Sequence, residues 1–188
     1  MILLVLPILL LIAFILLATR SPVLFRHQRV GLQGEYFHCL KFQTMHKNAA
    51  HLLARLLDED PSAEEEWLKT RKIRNDPRVT RFGRFLRTTS LDELPQLLNV
   101  LRGDMSLVGP RPVVLDELQH HYNDKAAEAY LSVRPGLTGL WQVSGRSDTD
   151  YGQRVALDYS YVQSLSIRTD ILLLMRTVMV LLRRDGAY

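Results

Sequence analysis

The stretch TSLDELPQLLNVLRGDMSLVGPRP, residues 89–112, decides more of the fold than any other part of the chain. LDELPQLLNVL predicts a helix near 91–101, and Gly103 supplies its stop, because glycine adopts left-handed backbone at a helix end without steric cost. Met105 to Val108 reads as a short buried strand, ended by Gly109-Pro110-Arg111-Pro112. Ser90 followed by Glu93 matches a capping box, in which two side chains satisfy the free backbone donors of a helix start. Pro95 would then fall where that helix wants an N–H, so the start is distorted or lies later. In either case Asp92 and Glu93 occupy the first turn, where the positive end of the helix favours ionised carboxylates. Neighbouring helical residues point about 100° apart, so the pair cannot act as one bidentate clamp. One carboxylate can attack a phosphorus while the other holds a hard cation.

Upstream lies a dense basic run: Arg71, Lys72, Arg74, Arg78, Arg81, Arg84 and Arg87, against Asp76 alone. Carboxylates next to such a run and a Gly-Pro-Arg-Pro loop suggest phosphoryl chemistry. Attack on a diphosphate requires its charge to be neutralised, usually by Mg2+ with Arg or Lys. Mg2+ favours one or two carboxylates completed by phosphate oxygens and water, which Asp92 and Glu93 can provide. Arg111, set between two prolines, loses little entropy when its guanidinium is fixed, and is suited to bidentate pairing with phosphate. The bland alternative is a surface loop arginine. RPGLTGLWQVSGR (134–146) places Arg134 and Arg146 around a glycine-rich turn that is either a nucleotide loop or a plain tight turn. Lys41, at a strand end in LKFQTM, is either a phosphate contact or a solvated lysine. Asp158, among apolar neighbours in LDYSYV, is either an ion-pair partner for one of these arginines or a metal-site helper.

Further out, Val23-Leu24-Phe25 and Tyr36 to Leu40 read as short strands around a Gly31/Gly34 turn. HKNAAHLLARLLD (46–58) has helical spacing, with Leu52, Leu53, Leu56 and Leu57 on one face. Asp58 to Pro61 breaks it, and SAEEEWLKTRK starts another helix with an acidic first turn and a basic end. Residues 113–131 are helical in pattern, and Pro135-Gly136 and Gly139 mark a loop before Leu140 to Val143. The tail from Asp170 to Leu182 is apolar except at Arg176 and Thr177. It is too short to span a bilayer and should lie at the membrane interface or in the core.

Met1 to Ala18 carry no charged side chain. A straight helix of that length reaches ~27 Å, the lower limit for crossing a bilayer. No basic residue precedes the run and no small-x-small site follows it, which argues against a cleaved signal. Pro7 removes a backbone hydrogen bond inside it, leaving a spanning helix or a bent one that enters and leaves by the same face. Arg20, Arg26 and Arg29 follow and put that flank in the cytoplasm by the positive-inside rule.

The chain of 188 residues suits one domain, and its net charge of +4 favours anionic partners. Cys39 is the lone cysteine, so no intrachain disulfide forms, and none of the six histidines falls into a zinc spacing. No coiled-coil heptads occur; a homo-oligomer is left open.

FRHQRVGLQGEYFHCLKFQTM (25–45), DPRVTRFGRFLRTTSLDELPQLLNVLRGDMSLVGPRP (76–112) and RPGLTGLWQVSGRSD (134–148), in this order, resemble the bacterial sugar transferases, the monotopic polyprenyl-phosphate phosphoglycosyl transferases. The likeness runs from about Leu3 to Tyr188, and the ending RRDGAY is similar to the larger undecaprenyl-phosphate glucose or galactose phosphotransferases. It implies an α/β fold, mostly helical with a small sheet. A re-entrant membrane helix over 1–20 would precede a cytoplasmic-face catalytic domain over 21–188 that rests on amphipathic interfacial helices. It implies a transferase moving a hexose-1-phosphate from a UDP-hexose to undecaprenyl phosphate, at the bacterial inner membrane, as the first step of exopolysaccharide, capsule or O-antigen synthesis. Asp92 would be the nucleophile, forming an aspartyl-phosphosugar and releasing UMP, and Glu93 would bind Mg2+. Lys41, Arg87, Arg111, Arg134, Arg146 and Asp158 match family positions around the active site.

Leu6-Pro7 stands where the family breaks its membrane helix at Ser-Pro, so the proline agrees and the serine does not. The family's basic and aromatic leader and the extra transmembrane helices of larger relatives have no counterpart here, which points to a shortened chain. Gln43 stands where the family usually has Arg or Lys. Three rivals compete with this reading. A nucleic-acid module would need more stacking aromatics than Phe82 and Phe85 beside the basic run, and has no use for the apolar ends. A phosphohydrolase would use the same aspartate with water as acceptor, and a non-catalytic membrane scaffold would do without the acidic pair.

Overall fold

The computed structural model describes residues 10, 12, 14, 15, 17, 22–70, 73, 76–144 and 150–183. Strand β1 (Leu24–Val30) pairs antiparallel with β2 (Tyr36–Phe42), Leu24 opposite Phe42 and Val30 opposite Tyr36. The turn between them uses left-handed backbone at Gln33 and Gly34, so the expected strand–glycine turn–strand unit is present and its first strand runs on to Val30. Helices α1 (Ala49–Glu59) and α2 (Pro61–Thr70) follow, separated at Asp60. Pro61 can open a helix because the first N–H groups have no helical acceptor. Leu52, Leu53, Leu56 and Leu57 are half-buried while the other residues between His51 and Glu59 are exposed, as their spacing predicts.

Helix α3 (Arg81–Thr88) is capped by Thr80, whose hydroxyl accepts from the Gly83 N–H at 2.8 Å. A 3₁₀ turn (Leu91–Glu93) then leads into α4 (Gln96–Arg102), which Gly103 terminates at φ 84°. The expected capping box is not formed. Ser90 has left-handed backbone, φ 55°, and its side chain caps nothing; Pro95 delays the helix proper to Gln96.

β3 (Ser106–Val108) pairs in parallel with β4 (Gly136–Thr138), the segment expected as loop. A parallel pair needs a crossover, supplied by α5 (Leu115–His121) and α6 (Asp124–Leu131). The predicted helix over 113–131 is thus two, parted at Tyr122-Asn123, where Asn123 caps α6. After β4 come α7 (Leu140–Val143), α8 (Tyr151–Gln163) and α9 (Ile167–Arg183). The result is mostly helical, as expected, with two small sheets where one was expected.

Three small cores hold these parts. One joins Val30, Val113, Leu118, Tyr122, Tyr130 and Val155; another joins Ile12, Phe42 and Leu86; the third joins Val108, Tyr161 and Leu173. Hydroxyls stitch their edges: Tyr130 Oη donates to Val30 O at 2.7 Å, and Tyr161 Oη to Asp170 Oδ1 at 2.8 Å. Residues 10, 12, 14, 15 and 17 are helical, and Ile12 enters the core while Leu10, Phe14 and Leu17 face outward. Along α9, Leu173 is buried but Ile171, Leu172, Met175, Val178 and Met179 are exposed. Among the described residues no helix is long and apolar enough to cross a membrane. The Leu6-Pro7 pair lies outside the described residues.

Candidate active site

The acidic pair is presented by the 3₁₀ turn at the junction of β2, α3 and α4. Asn99, fully buried on α4, fixes that junction. Its Oδ1 accepts from the Leu40 N–H at 3.0 Å, and its Nδ2 donates to His38 O at 2.8 Å and to Asp104 Oδ2 at 2.9 Å. A buried amide satisfied on both sides holds one register and no other, because any slip would orphan desolvated polar groups. The chain after Leu40 therefore delivers Lys41 to the acidic turn. Lys41 Nζ donates to Glu93 Oε1 at 2.7 Å, and Arg111 Nη2 approaches the same oxygen at 3.5 Å.

Asp92 is 8% exposed. Burial, reinforced by the adjacent Glu93, pushes its carboxyl up to about 6 against the opposing pull of Lys41, Arg87 and Arg111. Such a group is ionised at neutral pH yet poorly solvated, a condition that favours attack on an electrophile. Arg87 is aimed from α3 by Thr44, whose Oγ1 accepts from Arg87 Nε at 3.0 Å. Arg111 leaves the Gly-Pro-Arg-Pro loop with its guanidinium 5.2 Å from the Trp141 ring centre, and Arg154 meets the same ring at 4.7 Å. Asp158 lies buried on α8. Burial lifts its carboxyl to about 7, against the Tyr122 hydroxyl at 3.2 Å, the Arg111 backbone N–H, and the charges of Arg111 and Arg154. A cleft opens beside Glu93, lined also by Arg29, Cys39, Lys41, Gln96, Arg111, Pro112, Gly136 and Leu137.

Asp92, Glu93, Lys41, Arg87 and Arg111 thus converge, with Asp158 behind Arg111. Arg134 is engaged elsewhere, its Nε donating to Gly103 O at 2.7 Å from an exposed position. Arg146 lies outside the described residues. Of the basic run, Arg71, Lys72 and Arg74 lie outside the described residues, and Arg78, Arg81 and Arg84 are not aimed at the acidic pair. Arg78 is bound to Asp76 through Nη2 at 2.7 Å and sits 5.0 Å from the Trp67 ring, while Arg81 and Arg84 are exposed. Gln43 Nε2 donates to Met45 O at 2.7 Å. Arg29, Gln96, Asn99 and Arg154 also belong to the site or its support, and the sequence pattern does not single them out. Arg29 gives a signal only as one charge in the flank of the apolar run, and Asn99 has the look of an ordinary helical position.

Among the described residues no three metal-ligating side chains cluster. Two neighbouring carboxylates, one already attracting two cations, are hard oxygen donors of the kind Mg2+ takes when phosphate and water complete its shell. The donor set fits that ion, and Glu93 is the side chain that could hold it.

The profile of the family described as bacterial sugar transferase matches residues 1–184. The chain belongs to the bacterial sugar transferase family. It is 55% identical over 168 residues to the undecaprenyl-phosphate galactose phosphotransferase of Salmonella typhimurium, covering 89% of this chain and 35% of that protein. It is 49% identical over 180 residues to the exopolysaccharide production protein ExoY of Rhizobium meliloti, covering 96% and 79% respectively. To the UDP-glucose:undecaprenyl-phosphate glucose-1-phosphate transferase of Caulobacter vibrioides it is 45% identical over 190 residues, covering 97% and 65%. The chain spans about a third of the length of the Salmonella relative.

Proposed function

We propose that this sugar transferase moves a hexose-1-phosphate from a UDP-hexose to undecaprenyl phosphate. An Asp92 carboxylate oxygen attacks the sugar-bearing phosphorus, the bridging P–O bond breaks, and UMP leaves. An oxygen of the lipid phosphate then attacks the same phosphorus, restoring the carboxylate and forming the undecaprenyl diphosphate sugar. The observation that carries this reading is the buried Asp92 carboxyl beside Glu93, with Lys41, Arg87 and Arg111 around it. Those cations would neutralise the diphosphate and stabilise the charge on the departing phosphate. Mg2+, held through Glu93, would supply further charge neutralisation and polarise the phosphoryl oxygens. Arg134, Arg146 and Asp158 remain family-matched positions in this reading, Asp158 acting through the Arg111 loop.

The exposed apolar side chains of Leu10, Phe14 and Leu17 and of α9 support placement against the cytoplasmic face of a bacterial inner membrane. The name of the Rhizobium meliloti relative supports a role in exopolysaccharide production, and this reading makes the reaction the first step of exopolysaccharide, capsule or O-antigen synthesis. The test is UMP release from a panel of UDP-sugars with undecaprenyl phosphate and Mg2+, with radiolabel followed into the organic phase. Transfer requires labelled lipid, an intact mass adduct on Asp92 in quenched reactions, and no turnover in Asp92→Asn. Label appearing as free sugar phosphate would instead mark a hydrolase, and unchanged rates after chelation would remove the metal.

A further inference from the structure

Arg29 lines the same cleft from strand β1, although nothing in the reaction above uses it. Its side chain is 16% exposed, and its nearest carboxylate is loosely placed, with Nη1 3.6 Å from Glu117 Oε2. That is beyond hydrogen-bond reach. Glu117 is divided among other donors: it accepts from the Val114 N–H at 3.3 Å at the start of α5, and from the Tyr151 hydroxyl. The one hydrogen-bond acceptor of Arg29 among the described residues is His27 Nδ1, 3.1 Å from Nη2. A guanidinium has five N–H donors in a planar fork, so most of this fork is left for something else. The charges in the cleft wall point the same way. Arg29, Lys41 and Arg111 face Glu93 alone, and Lys41 is already bonded to it. Two arginines beside each other, each with only one carboxylate among the described residues and that at 3.5–3.6 Å, favour an anion of more than one charge.

We infer that Arg29 is a phosphate-binding residue, its guanidinium taking phosphoryl oxygens together with Arg111, and Glu117 being the weak acceptor that the phosphate displaces. The inference rests on the proposed reaction for the identity of that phosphate, which belongs to the nucleotide diphosphate or to the polyprenyl phosphate. Burial and the nearby Arg111 lower the Arg29 pKa despite Glu117, as expected of a desolvated cation short of counter-charge.

The test compares Arg29→Met, Arg29→Lys and Glu117→Gln in the full chain, with KM measured separately for the UDP-sugar and for undecaprenyl phosphate. Losing charge-assisted bonds to a phosphate should raise one KM by about tenfold or more, with kcat much less affected and Arg29→Lys in between. The substrate whose KM moves identifies the phosphate. Glu117→Gln keeps an acceptor for the Val114 N–H and removes the competing charge, so it should move the same KM downward. A merely structural ion pair would instead give two variants that lose stability together and shift KM in one direction or not at all; that result overturns the assignment. If Arg29→Met does not fold, the direction of the Glu117→Gln effect decides alone. Calorimetric binding of inorganic pyrophosphate needs no turnover. Should the wild type release no UMP, the proposed reaction fails by itself, while pyrophosphate affinity that is equal in wild type and Arg29→Lys or Arg29→Met would reject the arginine.

Discussion

Lys41 Nζ and Glu93 Oε1 meet at 2.7 Å across 52 residues of sequence, joining the end of β2 to the turn that presents Asp92. The bond does two things. It orients Glu93, and it places a positive charge where it partly offsets the repulsion between Glu93 and Asp92. Lys41→Met keeps the apolar stem and removes the charge. Asp92, already lifted to about 6, should then rise further. The acid limb of UMP release is expected to move to higher pH by about 1 unit, on top of a lower rate at every pH. A limb that stays in place would show that Lys41 does not reach Asp92 electrostatically.

Asp92→Asn should abolish turnover and yet stabilise the protein. The folded pKa of about 6 lies above the ordinary 3.8, so the folded chain keeps a proton that the unfolded chain has released. The stability associated with that proton is present at acid pH and is lost as pH climbs through the folded value. Near neutrality the ionised, buried carboxylate therefore costs on the order of 1–3 kcal/mol. The amide is expected to raise Tm by about 3–9 °C near pH 7.5, with the gap closing as the pH approaches 4. Scanning calorimetry at both ends of that range checks the sign; a lower Tm for the variant at neutral pH would contradict it.

Asn99 is expected to be among the least tolerant positions of the domain. Asn99→Ala leaves the Leu40 N–H and the His38 carbonyl without partners inside the protein. At about 1–3 kcal/mol for each orphaned buried group, a loss of about 3 kcal/mol or more follows, with a Tm lower by about 6–12 °C. Asn99→Asp is nearly isosteric but sets a carboxylate against His38 O and Asp104, so it should fare no better. A thermal melt within about 2 °C of wild type for either variant would mean that packing, not the amide, holds the junction.

What the sequence makes legible depends on whether the signal is local. Alternation around Gly31 and Gly34 reveals β1 and β2, Pro61 divides α1 from α2, and Gly103 ends α4, because each depends on a few adjacent residues. β4 is hidden because Pro135-Gly136 reads as a break. Its strand character comes from bonds to a partner far earlier in the chain, Ser106 N to Pro135 O at 2.8 Å and Gly109 N to Thr138 O at 2.9 Å. The same holds at the site. Asp92, Glu93, Lys41 and Arg111 stand out by charge and context, whereas the basic run promises more than it delivers, since Asp76 and Trp67 occupy Arg78. Ser90 has the spacing of a helix cap, but its left-handed backbone carries it out of the capping position.

Gly83 is the position where backbone packing and the aim of Arg87 meet. A Cβ built there would lie 2.0 Å from Thr44 O, so α3 rests against that carbonyl with no room for a methyl group. The neighbouring Thr44 hydroxyl aims Arg87 toward the acidic turn. Gly83→Ala must push α3 away from Thr44, because the opposing atom is backbone and cannot swing aside. Overpacking of this kind costs about 2 kcal/mol, or a Tm lower by about 4–8 °C. Moving Arg87 should also reduce UMP release by about tenfold, measured well below the variant's melting temperature so that unfolding does not contribute. The next residue on the helix, Arg84, is exposed. Arg84→Ala is therefore the matched control and should leave both Tm and rate near wild type. Should Gly83→Ala behave like that control, α3 has room to spare against Thr44, and the close contact does not set the position of Arg87.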